Sequence, residues 1–289
     1  MSPNIRGALL MMSSMAAFTI NDALMKHLGA SIPLFQLITM RGALTCILVF
    51  ALARYLGKVD LRIPKGDRLL VLIRCAAEVA TTYFFLTALM NIPLANVTAV
   101  LQALPLTVTL GAAVFFGERA GWRRYLAIGV GFCGMLLIVR PGPDGFNVFS
   151  LYAMAAMLLV TVRDLITRKM SANVPSMTVT LATALSVTVV AAAVSTTEPW
   201  VAVTPSLMAL VASASIFVLL GYLCSVVVMR VGEVSFIAPF RYTSLIWALL
   251  LGWFMFGDWP DTVTLIGATA VVGAGLFTLF RERAVQNAA

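Results

Sequence analysis

The residues of this chain that could do chemistry are charged side chains set inside long apolar runs. Asp22 lies late in the first run, one helical turn before Lys26, and Arg41 lies in the second run. A charge inside a membrane span is costly and usually faces a cavity or a partner. We therefore expect Asp22 and Arg41 to lie at similar depth and to form an ion pair or part of a gate. A pair that only neutralises its own charge is the alternative.

Two further groups of charges follow along the chain. Arg74 and Glu78 are four residues apart in the third run, so they share one face of a helix. Glu78 lies closer to the middle of its run and is the main candidate for carrying a coupling proton, with a purely structural Arg74–Glu78 pair as the alternative. Arg163 and Asp164 are adjacent in the sixth run and point about 100° apart on a helix. We therefore do not expect them to face one neighbour squarely, and we assign Arg163 to solute binding and Asp164 to an ion pair or gate.

Aromatic and uncharged polar side chains recur in the same runs. Aromatic faces with a few hydroxyl and amide groups are typical of a pocket for a small organic solute. Lipid contact or core packing is the alternative for any one of them. The predicted lining consists of Asn21, Tyr83, Phe84, Gln102, Tyr222, Tyr242 and Trp247.

One stretch of sequence occurs twice. The plan of residues 235–261 is already present in residues 96–121, and each copy has a proline near its start, Pro239 and Pro105. Proline frees a backbone carbonyl and kinks a helix, so both prolines are candidate hinges, although proline in a membrane helix is also often inert. Arg241 lies about 7 Å along the axis of its run and is assigned to solute binding. A stretch that recurs at half the chain length indicates an internal repeat.

Composition shows which elements must position these residues. Hydrophobic residues make up 61% of the 289 residues, charged residues make up 11%, and the mean hydropathy is +0.98. A soluble domain has about 25% charged residues, so the chain is predicted to be an all-α integral membrane protein. A span needs about 20 apolar residues. Ten spans are predicted: Ile5–Lys26, Leu34–Leu56, Leu69–Met90, Ala95–Phe116, Tyr125–Val139, Phe149–Thr167, Pro175–Thr196, Pro205–Met229, Ser235–Phe256 and Thr262–Phe280.

The basic residues indicate the orientation of these spans. With the N-terminus in the cytoplasm, fourteen Lys and Arg residues fall in cytoplasmic connections, against Lys26 and Arg140 outside. The positive-inside rule therefore predicts that both termini are cytoplasmic. Because the basic residues are scattered over short loops, nucleic-acid binding is disfavoured.

Five spans in each half give the second half the opposite orientation. We predict a first repeat over residues 1–140 and a second over residues 141–289, packed about a central cavity. The turn Gly117-Glu118 is then cytoplasmic, and its counterpart Gly257-Asp258 is external. Inverted repeats of this kind are used by many secondary transporters, and they predict alternating access to a central site.

At this point the residues resemble a known family. The string from Pro239 to Ser244, followed by Ala248–Gly252 and Gly257-Asp258, resembles the fourth-helix signature of the EamA repeat, as does the stretch 89–118. That repeat characterises the ten-helix branch of the drug/metabolite transporter superfamily. The resemblance implies an inverted-repeat bundle and a carrier of small metabolites in the inner membrane of a bacterium. The whole chain also resembles the YddG-type bacterial amino-acid exporters, although no short motif identifies the solute.

The resulting expectation is a secondary transporter that exports amino acids. Its solute is predicted to contact Glu78, Tyr83, Gln102, Arg163, Tyr222, Arg241, Tyr242 and Trp247. Import of another metabolite, such as riboflavin or a nucleoside-like compound, is the alternative within the same class. A membrane enzyme is disfavoured because no HExxH motif is present, and a channel is disfavoured because no filter-like motif is present. We expect no cofactor and no metal, a small-molecule solute and the bilayer as partners, and a monomer or homodimer.

Overall fold

A computed structural model describes residues 2–55, 63–117, 122–139, 147–171, 174–228, 231 and 234–286 of the chain. Within these ranges the regular elements are all helical. Short 3-10 turns cover Lys65–Asp67 and Ala238–Tyr242. The α-helices are α1 Pro3–Leu28, α2 Leu34–Tyr55, α3 Arg68–Asn91, α4 Leu94–Leu101, α5 Leu104–Phe116, α6 Trp122–Val139, α7 Val148–Lys169, α8 Ser176–Ser195, α9 Pro205–Val228, α10 Val234–Ile237, α11 Thr243–Phe256 and α12 Thr262–Gln286.

The helices agree with the predicted spans. Seven helical stretches of the described chain are long and apolar enough to cross a membrane, judged by length and composition. Two shorter apolar stretches, Tyr125–Val139 and Thr262–Thr278, supply the spans that end each half. As the short fifth span required, α6 begins before Tyr125, at Trp122. The prediction of an all-α, multi-pass membrane fold is confirmed.

The fourth span of each half is interrupted near its proline. In the first half α4 ends at Leu101 and α5 begins at Leu104, while in the second half a 3-10 turn separates α10 from α11. Pro105 has no N–H to donate to the carbonyl of Leu101, four residues earlier, so the regular hydrogen-bond ladder stops there. Pro239 has the same effect in the second half. Both predicted interruptions are present, and a hinge role stays a prediction.

The packing of the helices follows the repeat. Helix α1 packs on α9, and its equivalent α7 packs on α3, the equivalent of α9. Helices α2 and α6 pack on their own counterparts, α8 and α12, and α4 packs on α11, the counterpart of α5. Both halves also end their broken helix on a left-handed glycine, Gly117 at φ 67° and Gly257 at φ 69°, a conformation that glycine adopts without steric strain. Exchanging the two halves therefore maps the most extensive helix contacts onto one another.

Two side-chain contacts lie close to the axis that relates the halves. The Gln102 Nε2 atom donates to Ser244 Oγ at 2.6 Å, and the Cys46 sulfur lies 3.6 Å from Thr188 Oγ1. Both pairs are separated by 142 residues. Cys46 and Thr188 occupy equal places in α2 and α8, and Ser244 lies two residues after Tyr242, the position equivalent to Gln102. Contacts between equivalent or nearly equivalent positions lie near the pseudo-two-fold axis.

Small residues hold the last helices of the two halves together. A Cβ atom added to Gly134 of α6 would lie 2.7 Å from the carbonyl oxygen of Gly267 in α12. Small residues allow helix backbones to approach this closely in lipid. The α6–α12 contact therefore depends on the absence of side chains at these two positions.

The two ends of the bundle differ in how tightly they are packed. We call the end at which α1 finishes and α2 begins the Lys26 end, and the end at which α7 finishes and α8 begins the Arg168 end. The largest apolar cluster joins both halves at the Lys26 end, and its fully buried members include Met25, Leu28, Leu37, Leu89 and Leu94. A second large cluster joins α3, α4, α6, α7 and α12 at the same end. The bundle is therefore packed shut at the Lys26 end.

The described residues of the Arg168 end form smaller clusters. One consists of Val71, Cys75, Val174 and Val179, and another of Met11, Val228 and Ile237. Large apolar side chains of α5 near this end are exposed, with Phe115 75% and Val114 69% exposed. Because the two halves are built alike, this difference between the ends is a property of the conformation.

Candidate functional site

An arginine with two carboxylates lies between α3 and α7. The Arg163 Nη1 atom is 3.0 Å from Glu78 Oε2, and its Nη2 atom is 2.8 Å from Asp164 Oδ1. The Arg163 Nε–H also donates to Asp164 Oδ1 at 2.9 Å. Arg163 and Asp164 were not expected to face one neighbour squarely, and only Arg163 contacts Glu78; the long guanidinium side chain also folds back onto Asp164. Arg163 therefore carries one positive charge against two acidic groups.

The alternative of a structural intrahelical pair between Arg74 and Glu78 is not formed between these two described side chains. Arg74 Nε donates to Thr167 Oγ1 of α7 at 2.9 Å, and its Nη1 donates to Thr183 Oγ1 of α8. Glu78 is bound instead to Arg163 on the neighbouring helix. The physical reason is that close packing of α3 on α7 brings a second guanidinium within reach of Glu78. Arg74 consequently has two neutral hydroxyl groups as its hydrogen-bond acceptors.

Asn21 lies between the two residues that were expected to pair directly, Asp22 and Arg41. Arg41 Nη1 donates to Asn21 Oδ1 at 3.2 Å, and Asn21 Nδ2 donates to Asp22 Oδ1 at 2.9 Å. No direct Asp22–Arg41 ion pair is formed between these described side chains, so that prediction is wrong in its geometry. The amide of Asn21 connects the acid to the guanidinium and holds both in place.

Helix α1 positions this chain of polar groups against α9. Ser14 Oγ donates to the Gly221 carbonyl at 2.8 Å, and the Phe18 ring meets the Tyr222 ring edge-on at 5.3 Å. Asn21 follows Phe18 by three residues, which is about one helical turn. Gly221 is needed here, because a Cβ atom at this position would lie 2.8 Å from the Phe18 ring. Asn21 therefore lies about one helical turn nearer to the Lys26 end than the Phe18–Tyr222 contact.

The polar groups remain partly accessible. Tyr222 is 42% exposed, and the side chain of Asp164 is 40% exposed. Tyr222 also interacts electrostatically with Arg41, Arg74, Glu78 and Arg163. These polar groups therefore interact with one another across α1, α2, α3, α7 and α9. We call the set Asn21, Asp22, Arg41, Glu78, Arg163, Asp164 and Tyr222 the central polar cluster.

Aromatic rings form a second group beside this cluster. Tyr83 is stacked on Phe35 at a centroid distance of 6.0 Å and meets Phe84 edge-on at 5.3 Å. Tyr152 of α7 lies 5.1 Å from Phe84 and 5.8 Å from Phe149. Tyr83 and Phe84 were expected in the lining, whereas the other three were missed. Aromatic residues spaced along separate runs give no signal that they will meet.

A largely apolar groove of about 650 Å³ adjoins the aromatic group. Tyr83 and Phe35 line it together with residues from one face of α3 and from the second half of α8. Its apolar walls suit hydrocarbon better than a charged solute. Glu78 and Arg163 are not among its lining residues.

The other predicted residues lie around the interrupted helices. Gln102 is buried and bonded to Ser244, so it joins the interruption of one half to the start of α11 in the other. Tyr242 is buried, with its hydroxyl against Gly275 of α12. Arg241 is exposed in the 3-10 turn, and Trp247 is 36% exposed on α11. The structure therefore does not bring these four residues into the central polar cluster.

Lys26, which was counted only as a loop charge, binds across the bundle. Its Nζ atom donates to the carbonyl oxygens of Leu89 at 2.8 Å and Ile92 at 2.7 Å, and it lies 5.5 Å from the centroid of the Phe256 ring. It therefore connects the end of α1 to the end of α3 and to α11. A Lys four residues after an Asp inside an apolar run is the signal that could have suggested this role.

The equivalent contact occurs at the opposite end. The Arg168 guanidinium lies 5.5 Å from the Phe116 ring centroid. Arg168 follows Asp164 by four residues, as Lys26 follows Asp22, and Phe116 and Phe256 each precede a left-handed glycine. Arg168 is exposed, whereas Lys26 is half-buried. The Lys26–Phe256 and Arg168–Phe116 contacts are therefore equivalent in the two halves and lie at opposite ends of the bundle.

Among the described residues, no group of three His, Cys, Asp or Glu side chains is arranged to hold a metal ion. The donor set of the central polar cluster consists of guanidinium, carboxylate, amide and phenol groups. Such groups bind a charged organic solute by hydrogen bonds and ion pairs.

Comparison with known proteins agrees with this fold. Residues 5–140 match the EamA-like transporter family. One solved crystal structure has a TM-score of 0.68 with this chain at 20% identity, over 96% of this chain and 98% of that chain, and this likeness shows the fold. The first half of the chain is therefore similar to the EamA-like transporter family, and relatives that align with most of the chain are bacterial transporters of small molecules.

Three characterised relatives have different solutes. The S-adenosylmethionine uptake transporter of Rickettsia prowazekii is 25% identical over 96% of this chain and 94% of its own length. The pseudopaline exporter CntI of Pseudomonas aeruginosa (strain UCBPP-PA14) is 25% identical over 93% and 94%. The riboflavin transporter of Vibrio cholerae serotype O1 is 24% identical over 93% and 91%. These relatives include both uptake and export, so similarity alone does not assign a solute or a direction to this chain.

Proposed function

We propose that this protein is a secondary transporter that moves an amino-acid-type zwitterion across a bacterial inner membrane by alternating access. The observation that carries the proposal is the central polar cluster. It presents guanidinium and carboxylate groups, partly accessible, in the middle of otherwise apolar helices. Charges at this depth are retained when they serve a solute or ion path. A solute with one positive and one negative group matches such a cluster.

The unequal ends of the bundle support alternating access. Two like halves of opposite orientation can exchange their conformations, and each exchange moves the opening from one end to the other. This conformation is packed shut at the Lys26 end. The charge distribution of the loops places that end outside the cell, so the conformation corresponds to an inward-facing state.

Export of amino acids remains the proposed direction, from the resemblance of the chain to amino-acid exporters. A second candidate is uptake of S-adenosylmethionine, which the similarity to the Rickettsia transporter favours. This solute combines an amino-acid end with a nucleoside. The aromatic group around Tyr83 and Tyr152 offers ring faces on which a nucleoside base could stack. Both candidates share the zwitterionic end.

The test is transport by the purified protein in liposomes of defined orientation. Labelled amino acids and labelled S-adenosylmethionine are supplied in turn, and unlabelled solute on the opposite side tests for exchange. We expect saturable flux that the opposite-side solute accelerates. Liposomes that contain a Glu78→Gln, Arg163→Gln double variant serve as the control, because this variant removes both charges of the α3–α7 pair together. If no zwitterion moves faster than in empty liposomes, the proposed function is wrong.

A further inference from the structure

The three arginines in the membrane-spanning helices that approach the site differ in what they bind. Arg163 contacts two carboxylates. Arg74 donates to two threonine hydroxyls, from Nε and from Nη1. Arg41 has one hydrogen bond from its side chain, to the neutral amide oxygen of Asn21. Arg41 therefore has the fewest hydrogen-bond acceptors of the three.

Arg41 also has an unused donor in the protein interior. Its Nε–H is buried and has no hydrogen-bond partner. A guanidinium has five N–H donors, and leaving a charged donor unsatisfied in a buried place is strongly unfavourable. Ser215 Oγ bonds the backbone carbonyl of Arg41 and connects α2 to α9 at this point. The backbone is thus anchored while the guanidinium lacks an anion.

The nearest acid is held at a distance by the amide between them. The Asn21 amide oxygen accepts a hydrogen bond from Arg41, and the amide nitrogen donates one to Asp22, so each polar atom of the amide has a partner. Asp22 and Arg41 both remain partly accessible. The arrangement keeps a cation and an acid near each other without letting them neutralise each other directly. A zwitterion needs such a separated pair of charges.

We infer that Arg41 is the binding site for the carboxylate of the transported solute. The inference rests on the proposed function, since it names the group that recognises the acidic end of the zwitterion. Arg163 is a poorer candidate because two protein carboxylates already occupy it. Arg241 is a poorer candidate because it lies exposed in the 3-10 turn, outside the central polar cluster. A carboxylate bound to Arg41 would supply the acceptor that the guanidinium lacks.

The test compares ligands that differ only at the carboxylate. Thermal stabilisation of the purified protein is measured with methionine, with methionine amide, and with the amine that lacks the carboxyl group. In the wild-type protein we expect methionine to bind at least about tenfold more tightly than the other two, from the strength of hydrogen bonds to charged groups. Arg41→Gln is expected to abolish this preference, and Arg41→Lys to retain part of it.

Asn21→Asp provides a test that leaves Arg41 in place. This substitution keeps the size of the side chain and puts a carboxylate where the Asn21 oxygen now accepts from Arg41. Because the new carboxylate occupies the guanidinium, we expect the preference for methionine over its amide to fall by about 10- to 100-fold. Arg74→Gln is the control, since it removes another arginine near the same helices and is expected to keep the preference.

The outcomes separate the inference from the proposed function. If the wild-type protein transports a zwitterion, and Arg41→Gln and Asn21→Asp still prefer the carboxylate by the wild-type factor, the inference is overturned and the proposed function stands. If Arg74→Gln instead removes the preference, the site is Arg74 and the inference is again overturned. If the wild-type protein neither binds nor transports any zwitterion, the proposed function falls and takes the inference with it.

Discussion

Replacing Lys26 by Met should open the end of the bundle that this conformation keeps shut. The substitution keeps an unbranched apolar side chain and removes the ammonium. It therefore removes two hydrogen bonds, to the carbonyl oxygens of Leu89 and Ile92, and the contact with the Phe256 ring. The two hydrogen bonds join α1 to the end of α3 in the same half, and the ring contact joins α1 to α11 in the other half.

The size of the effect follows from the contacts. A hydrogen bond to a charged group contributes about 1.5–3 kcal/mol, and a cation–ring contact about 0.5–2 kcal/mol. Part of this gain offsets the cost of taking the ammonium out of water, so we expect a net loss of roughly 2–4 kcal/mol. Since about 1.4 kcal/mol corresponds to a factor of ten, the population open at the Lys26 end should rise about 30- to 1,000-fold.

The assay is the rate at which a maleimide modifies a single cysteine placed at Ala23. Ala23 is fully buried in the large cluster of the Lys26 end, so a cysteine there reacts only when that end opens. The native cysteines are replaced first. Arg168→Met is the matched control, because it removes the equivalent cation–ring contact at the opposite end. A rise below threefold in Lys26→Met, or an equal rise in Arg168→Met, would refute the role given to Lys26.

Three further predictions concern the site and the scaffold. Glu78→Gln should abolish any pH dependence of transport, because it removes the α3 carboxylate that binds Arg163. An unchanged pH–rate profile would exclude Glu78 from proton coupling. Tyr83→Ala should weaken S-adenosylmethionine binding about 3- to 10-fold, from the loss of ring contacts, and leave methionine binding unchanged; equal losses for both ligands would place Tyr83 outside the nucleoside contact. Gly134→Ala should lower stability by about 1–3 kcal/mol through overpacking against α12, measured as a fall in Tm, while Gly129→Ala, which has open space around it, should not.

The backbone plan could be predicted from the sequence because it depends on patterns that each helix carries by itself. Apolar runs located the spans, and prolines 105 and 239 located the interruptions. The paired Gly117 and Gly257 indicated the repeat, and both have the left-handed conformation. These features are local, so one sequence is enough to find them.

The side-chain partners could not be predicted in the same way. The position of Arg74, Glu78 and Arg163 along their helices placed them in the membrane. It did not give the rotation of each helix about its axis, which decides the neighbour that each side chain faces. An arginine also reaches far enough to pass over an intrahelical partner. Glu78 therefore binds Arg163, 85 residues away in sequence, rather than Arg74 on its own helix.

Neutral residues were the other source of error. Attention to charge predicted a direct bond between Asp22 and Arg41, and it gave no weight to Asn21 as a spacer. Thr167 and Thr183 were overlooked for the same reason, although they accept the hydrogen bonds of Arg74. In a medium without water, amides and hydroxyls take over the bonds that water makes elsewhere.

The contacts near the axis carry a consequence for the ancestry of the chain. If the two halves descend from one five-helix protein that inserted in both orientations, the ancestor would have placed the position of Cys46 against its own copy, the position of Thr188. A cysteine would then have faced a cysteine, or a threonine a threonine. Fusion into one chain freed the two copies to change separately, and position 46 now carries a thiol where position 188 carries a hydroxyl. Joining the halves thus allowed a symmetric scaffold to acquire an asymmetric interior.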